Sequence, residues 1–80
     1  MIDVNVIELA SELQFRWFVE AMNILNRHKR ELSDYDLVFY RKMRDGWDFS
    51  KRNLTLTVKQ MNYLRQIARE VEEGTYDGDS

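Results

Sequence analysis

The chain has no cysteine, no proline and a single histidine, and its 80 residues include three glycines. Without Cys there is no disulfide framework, no thiolate metal site and no cysteine nucleophile. Without Pro there is no proline hinge, polyproline ligand or rigid linker. One imidazole cannot build a His-based zinc site, so the common structural zinc modules are excluded. Glycines at 46, 74 and 78 are too scattered to form a phosphate-cradling loop, and no nucleophile elbow is present. No apolar run approaches the roughly 18 residues of a membrane span, and the acidic start does not read as a signal peptide. The expectation is a cytoplasmic protein, in the host cytoplasm if viral, with no membrane partner, no metal, no cofactor and no catalytic activity.

What is present is ordinary globular composition, 44% hydrophobic and 32% charged, too apolar for a disordered chain. The length allows one domain, expected over residues 1–74, with a disordered polar tail at 75–80. The net charge of −2 argues against nucleic-acid affinity over the whole surface.

Residues 5–30 read as one long helix. Its apolar positions include Val6, Ile7, Leu9, Leu13, Phe15, Trp17, Phe18, Met22, Ile24 and Leu25. At 100° per residue they cover roughly double the 100° stripe of an ordinary surface helix. Only a strip with Asn5, Glu8, Glu12, Arg16, Asn23, Asn26 and Arg27 is polar. A second helix over 34–45 starts at the N-cap Ser33, with Asp36 three residues on, Leu32 able to staple onto Leu37, and Gly46 as a stop. A third helix over 58–73 starts at Thr57, with Gln60 three residues on, Leu56 facing Met61, and Gly74 as its stop. The two start signals are 24 residues apart, which we read as two uses of one device rather than a repeat. Residues 47–56 form the loop, and no strand is expected.

These readings predict an all-α, three-helix domain with helices of about 39, 18 and 24 Å at 1.5 Å per residue. Two short helices cannot cover both sides of the long one, and a core this small is marginal alone. A homodimer through the first helix follows as the expectation, with Phe15, Trp17, Phe18, Met22 and Leu25 as anchors.

Single titratable groups carry little. His28 sits among Arg27, Lys29 and Arg30 with no orienting carboxylate evident, which favours structural or surface use over a pH-sensitive contact. Asp34 and Asp36 are explained by the helix dipole and capping. Asp77 and Asp79 flank Gly78 but lack the other calcium-loop ligands, and Asp45 and Asp48 flank Gly46-Trp47 without a third ligand.

The basic segment is the better signal. Residues 41–69 hold Arg41, Lys42, Arg44, Lys51, Arg52, Lys59, Arg65 and Arg69 against Asp45 and Asp48. Opposite the apolar seam of the third helix lie Lys59, Asn62, Arg65, Gln66 and Arg69, types that contact phosphates and base edges. Trp47 and Phe49 lie between the basic groups, placed for base stacking. The alternative is a solvated helix face with two loop aromatics folded onto the core. A connection over 47–56 is too long for the 3–4-residue turn of a helix-turn-helix. Lys51, Arg52, Arg65 and Arg69 are expected to form one electropositive patch facing an acidic partner, either phosphate backbone or an acidic protein surface.

Residues 33–71 resemble a segment of small phage and bacterial accessory proteins of DNA metabolism. That segment is a short helix with a central aromatic, a basic loop, then Leu-Thr/Ser-x-Lys-Gln-x-x-x-Leu-x-x-Ile. Leu56, Thr57, Lys59, Gln60, Leu64 and Ile67 match its second half. The resemblance leaves the first helix aside and implies a phage-type accessory protein without a defined activity. The expected function is a small non-catalytic binding protein, an accessory or inhibitor docking on a protein or nucleoprotein machine. Direct nucleic-acid binding through the basic loop and third helix is one alternative, and a structural homo-oligomeric subunit is another.

Overall fold

The computed structural model describes residues 6–77. Asn5, Gly78 and Asp79, used in the sequence reading, lie outside the described residues. Three helices dominate: α1 (Glu12–Arg27), α2 (Asp34–Ser50) and α3 (Val58–Glu73). Strands β1 (Val6–Glu8) and β2 (Thr55–Thr57) pair antiparallel, Val6 opposite Thr57, Ile7 opposite Leu56 and Glu8 opposite Thr55. The all-α, three-helix class holds. The expected absence of strands is corrected by this short pair.

The expected helix over 5–30 is likewise corrected to β1, a turn and the 16-residue α1. A short β-branched apolar run cannot be assigned by periodicity alone, and here long-range partners decide it. Leu9 N–H donates to the Leu54 carbonyl (3.4 Å), and Ser11 N–H closes the turn onto Glu8 (3.1 Å). The Arg52 guanidinium takes the carbonyls of Leu9 and Ala10, both at 3.3 Å. At the other end α1 stops at Arg27, and a 3-10 turn at Lys29–Glu31 swings Leu32 into the core.

The second helix does not stop at Gly46 but continues to Ser50. A Cβ at Gly46 would stand 3.0 Å from Leu54 Cδ1, a tight contact that Leu54 would have to yield to. The stop falls at Lys51, which adopts φ 52°, a left-handed conformation that a glycine would have marked in the sequence. The expected loop at 47–56 is therefore the last turn of α2, a 3-10 turn at Lys51–Asn53, and β2.

The third helix begins and ends as expected. Thr57 Oγ1 accepts from Gln60 N–H (3.0 Å) while Gln60 Oε1 accepts from Thr57 N–H (2.9 Å), a reciprocal capping box. Gly74 terminates the helix at φ 78°. Replacing Thr57 by Ala is expected to lower the unfolding free energy by about 0.5–2 kcal/mol, measured as a fall in the urea midpoint at unchanged slope.

The core gathers Leu9, Phe18, Leu25 and Leu64, all fully buried, with Ile24, Tyr40, Met43, Leu56, Met61, Ile67 and Val71 around them. Helices α1 and α3 run in the same direction: Arg65 lies over Trp17 toward their middles, and Arg27 meets Glu72 near their ends at 3.7 Å. Helix α2 runs against α1, with Tyr40 OH donating to Asn26 (3.1 Å) and Trp47 packed on Phe15 and Phe18. The three helices are almost equal in length, so α1 does not outreach its neighbours.

Candidate functional site

The parallel pairing of α1 and α3 leaves an open groove of about 610 Å³ between them. Its floor is small and apolar, with Ala21, Ile24 and Ala68. Its walls carry Leu13, Arg16, Trp17 and Glu20 from α1 and Asn62, Arg65, Gln66 and Arg69 from α3. The period of the two helices explains the placement. The residues of α3 at 61, 64, 68 and 71 are buried, so those at 62, 65, 66 and 69 turn outward along one edge.

The centre of the groove is the Arg65 guanidinium, held 4.1 Å from the Trp17 ring centroid. Such a contact contributes about 0.5–1 kcal/mol at an exposed site and holds the side chain in place. Among the described residues Arg16, Arg65 and Arg69 have no ion-pair partner. Acids line it as well: Glu20 lies one turn after Arg16, Glu70 accepts from Gln66 (3.3 Å) and Glu72 pairs with Arg27. The groove thus interleaves three arginines, Arg16, Arg65 and Arg69, with three glutamates, Glu20, Glu70 and Glu72.

The sequence-predicted patch divides between different faces. Arg65 and Arg69 meet in the groove, joined by Arg16, which had been read only as part of a polar strip. Lys59 is exposed one turn before Asn62. Arg52 does not join them. It covers Phe15 (4.1 Å to the ring centroid), pairs with Glu12 (3.0 Å) and holds the β1–α1 turn. Phe15 and Trp17 are 200° apart around α1 at 100° per residue, so Arg52 and Arg65 occupy opposite sides of that helix. Lys51 lies 5.9 Å from the Trp47 ring, and Arg44 lies 5.8 Å from that of Tyr40. Arg41 and Lys42 are exposed on α2.

The aromatic assignments change too. Trp47 is half-buried, with ring centroids 5.5 Å from Phe15 and 5.7 Å from Phe18, so it is core-facing rather than a platform for bases. Phe49 is 92% exposed on α2. Of the expected interface anchors, Phe18 and Leu25 are buried inside the domain and unavailable to a partner. Phe15 is covered by Arg52 and Trp47, and Met22 lines a shallow hollow between α1 and α2. Trp17 is half-buried in the groove.

One cluster had no sequence signal beyond capping. Asp36 is 6% exposed, and its carboxylate accepts from the hydroxyls of Tyr63 and Tyr76. Ser33 Oγ caps Asp36 N–H (3.2 Å), and Tyr76 OH accepts from Ser33 N–H (3.0 Å). Burial, reinforced by the hydrogen bond to Asp36, holds both phenols above their usual pKa. The cluster ties the start of α2 to α3 and to the segment after it, and its carboxylate is occupied, so it reads as a structural clamp. His28 does have a carboxylate neighbour, Glu31, with Nδ1 2.6 Å from Oε2.

Among the described residues no group of three or more His, Cys, Asp or Glu side chains is placed to hold a metal ion. No described helix is long and apolar enough to cross a membrane. No family model, curated protein or solved structure matches the chain.

Proposed function

We propose that the chain is a small non-catalytic binding protein that docks on a protein component of a larger machine through the α1–α3 groove. The observation that carries this reading is the Arg65–Trp17 stack, flanked by Arg16 and Arg69, which have no ion pair among the described residues. Trp and Arg are the residue types that dominate binding energy at protein interfaces, and a side chain already held in place loses less entropy on docking.

The charge balance chooses the partner class. A phosphodiester backbone favours a face of one sign, since each neutralised phosphate contributes through counterion release. This groove alternates in sign, and the remaining bases point to other faces or hold the chain together. A protein surface with an acidic patch beside a basic one fits it better.

The test is affinity capture from nuclease-treated extract, with the wild type and with Arg65→Glu/Arg69→Glu. The charge reversal is expected to leave the fold intact, since exposed substitutions shift stability by about 0.5 kcal/mol, and to reduce capture at least about tenfold, or 1.4 kcal/mol. Capture that vanishes with nuclease, together with steeply salt-dependent binding to bare oligonucleotide, would replace this reading with direct nucleic-acid binding.

A further inference from the structure

The outer face of α2 carries a second feature, independent of the groove. Tyr35, Val38, Lys42, Asp45 and Phe49 follow one another at spacings of 3, 4, 3 and 4 along the helix, which places them in one straight stripe. All five are exposed. Tyr35 is 75%, Val38 53% and Phe49 92% accessible. The opposite side of the same helix supplies Tyr40 and Met43 to the core, so the stripe faces away from the domain. Tyr35 touches the domain edge-to-face at Tyr63 (ring centroids 6.4 Å), while Val38 and Phe49 stand on the outward face beyond the core.

The charges within and beside the stripe specify what covers it. Lys42 and Asp45 sit between the apolar positions, and Arg41 and Asp48 run along one edge. All four are exposed and without an ion pair among the described residues. We propose that the stripe docks against the same stripe of a second copy, with the two α2 helices antiparallel about a two-fold axis.

In that register Val38 of each copy packs on Phe49 of the other, and Lys42 of each meets Asp45 of the other. At the edge, Arg41 of each faces Asp48 of the other. These are the layer and flank relations of an antiparallel helix pair, and each occurs twice by symmetry. Tyr35 lies past the last of these layers. A parallel pairing would instead set Lys42 on Lys42 and Asp45 on Asp45, with like charges opposed in both layers. An unrelated partner would need no such internal complementarity, and it is this self-matching order of signs that selects a second copy. A helix of 17 residues buries an area at the low end of specific interfaces, so association is concentration-dependent rather than permanent.

Sedimentation equilibrium from the micromolar to the sub-millimolar range tests this, with circular dichroism verifying the fold of each variant. The wild type is expected to pass from monomer to dimer. Lys42→Glu and Asp45→Lys, each alone, place two like-charge pairs in the interface, and each is expected to weaken self-association about tenfold or more. Mixed together, the two variants regain every complementary pair and are expected to form a one-to-one heterodimer as tight as the wild-type dimer. A wild type that stays monomeric throughout would overturn the proposal. So would single variants that dimerise like the wild type, or a mixture that remains monomeric. None of these residues lines the α1–α3 groove, so the outcome is independent of partner capture through Arg65 and Arg69.

Discussion

Phe18→Ala is expected to lower the unfolding free energy by about 3–5 kcal/mol. Phe18 is 1% exposed near the middle of α1 and stands 5.7 Å, ring to ring, from Trp47 of α2. Its removal leaves a cavity where α1 and α2 meet, and neither helix can close on it without breaking contacts elsewhere. Domains of this size are stable by about 5–15 kcal/mol in total, so the variant stands near its unfolding threshold. Urea denaturation followed by far-UV circular dichroism reads this directly. Leu13→Ala, at a position 51% exposed on the same helix, is the control and is expected to shift stability by about 0.5 kcal/mol. A Phe18→Ala protein as stable as that control would contradict the assignment of Phe18 to the core. Phe18→Asp is expected to unfold the chain rather than to dissociate a dimer.

The second large effect is expected from Asp36→Ala, at about 1–3 kcal/mol. The substitution leaves the half-buried Tyr63 hydroxyl without its acceptor, while Tyr76 keeps its bonds to Ser33; a buried polar group left unsatisfied costs about 1–3 kcal/mol. The same cluster gives a pH dependence with a definite sign. Both phenols have pKa values raised in the folded state, first by burial and then by Asp36. Below the unfolded-state value, about 10 for tyrosine, folded and unfolded chains alike hold these protons and the contribution is complete. As the pH rises beyond it, the unfolded chain releases protons that the folded chain retains, so stability falls. The wild type is therefore expected to lose stability in alkali, with a late-titrating fraction in its phenolate absorbance. Asp36→Ala, already destabilised, is expected to show a shallower alkaline slope. An equal slope in both proteins would detach the phenols from Asp36.

Local signals in this chain were legible, and long-range ones were not. Thr57, Gln60 and Gly74 define α3 because a capping box and a left-handed glycine act within a few residues of the helix ends. Ser33 starts α2 for the same reason. Gly46 misled because glycine marks a helix stop only where it takes a positive φ, and here that conformation falls at Lys51 instead. The start of α1 misled because Val6, Ile7 and Leu9 suit a helix or a strand equally, and the choice rests on β2 and on Arg52, more than 40 residues away in the chain. The groove was half visible. The outward side of α3 could be read from its seam, but Trp17 and Arg16 enter only because α1 lies parallel to α3. The concentration of bases over 41–69 is real in sequence, yet helix period and the inward turn of Arg52 distribute it over separate faces.

The chain has two tryptophans, and they report from different places: Trp17 from the groove and Trp47 from the packed side of α1 and α2. The indole N–H resonances of an isotopically labelled wild type, followed as the protein captured from nuclease-treated extract is added, test groove docking most directly. Docking through the groove is expected to shift or broaden the Trp17 resonance and leave that of Trp47 in place. A bound state in which Trp47 moves and Trp17 does not would contradict it.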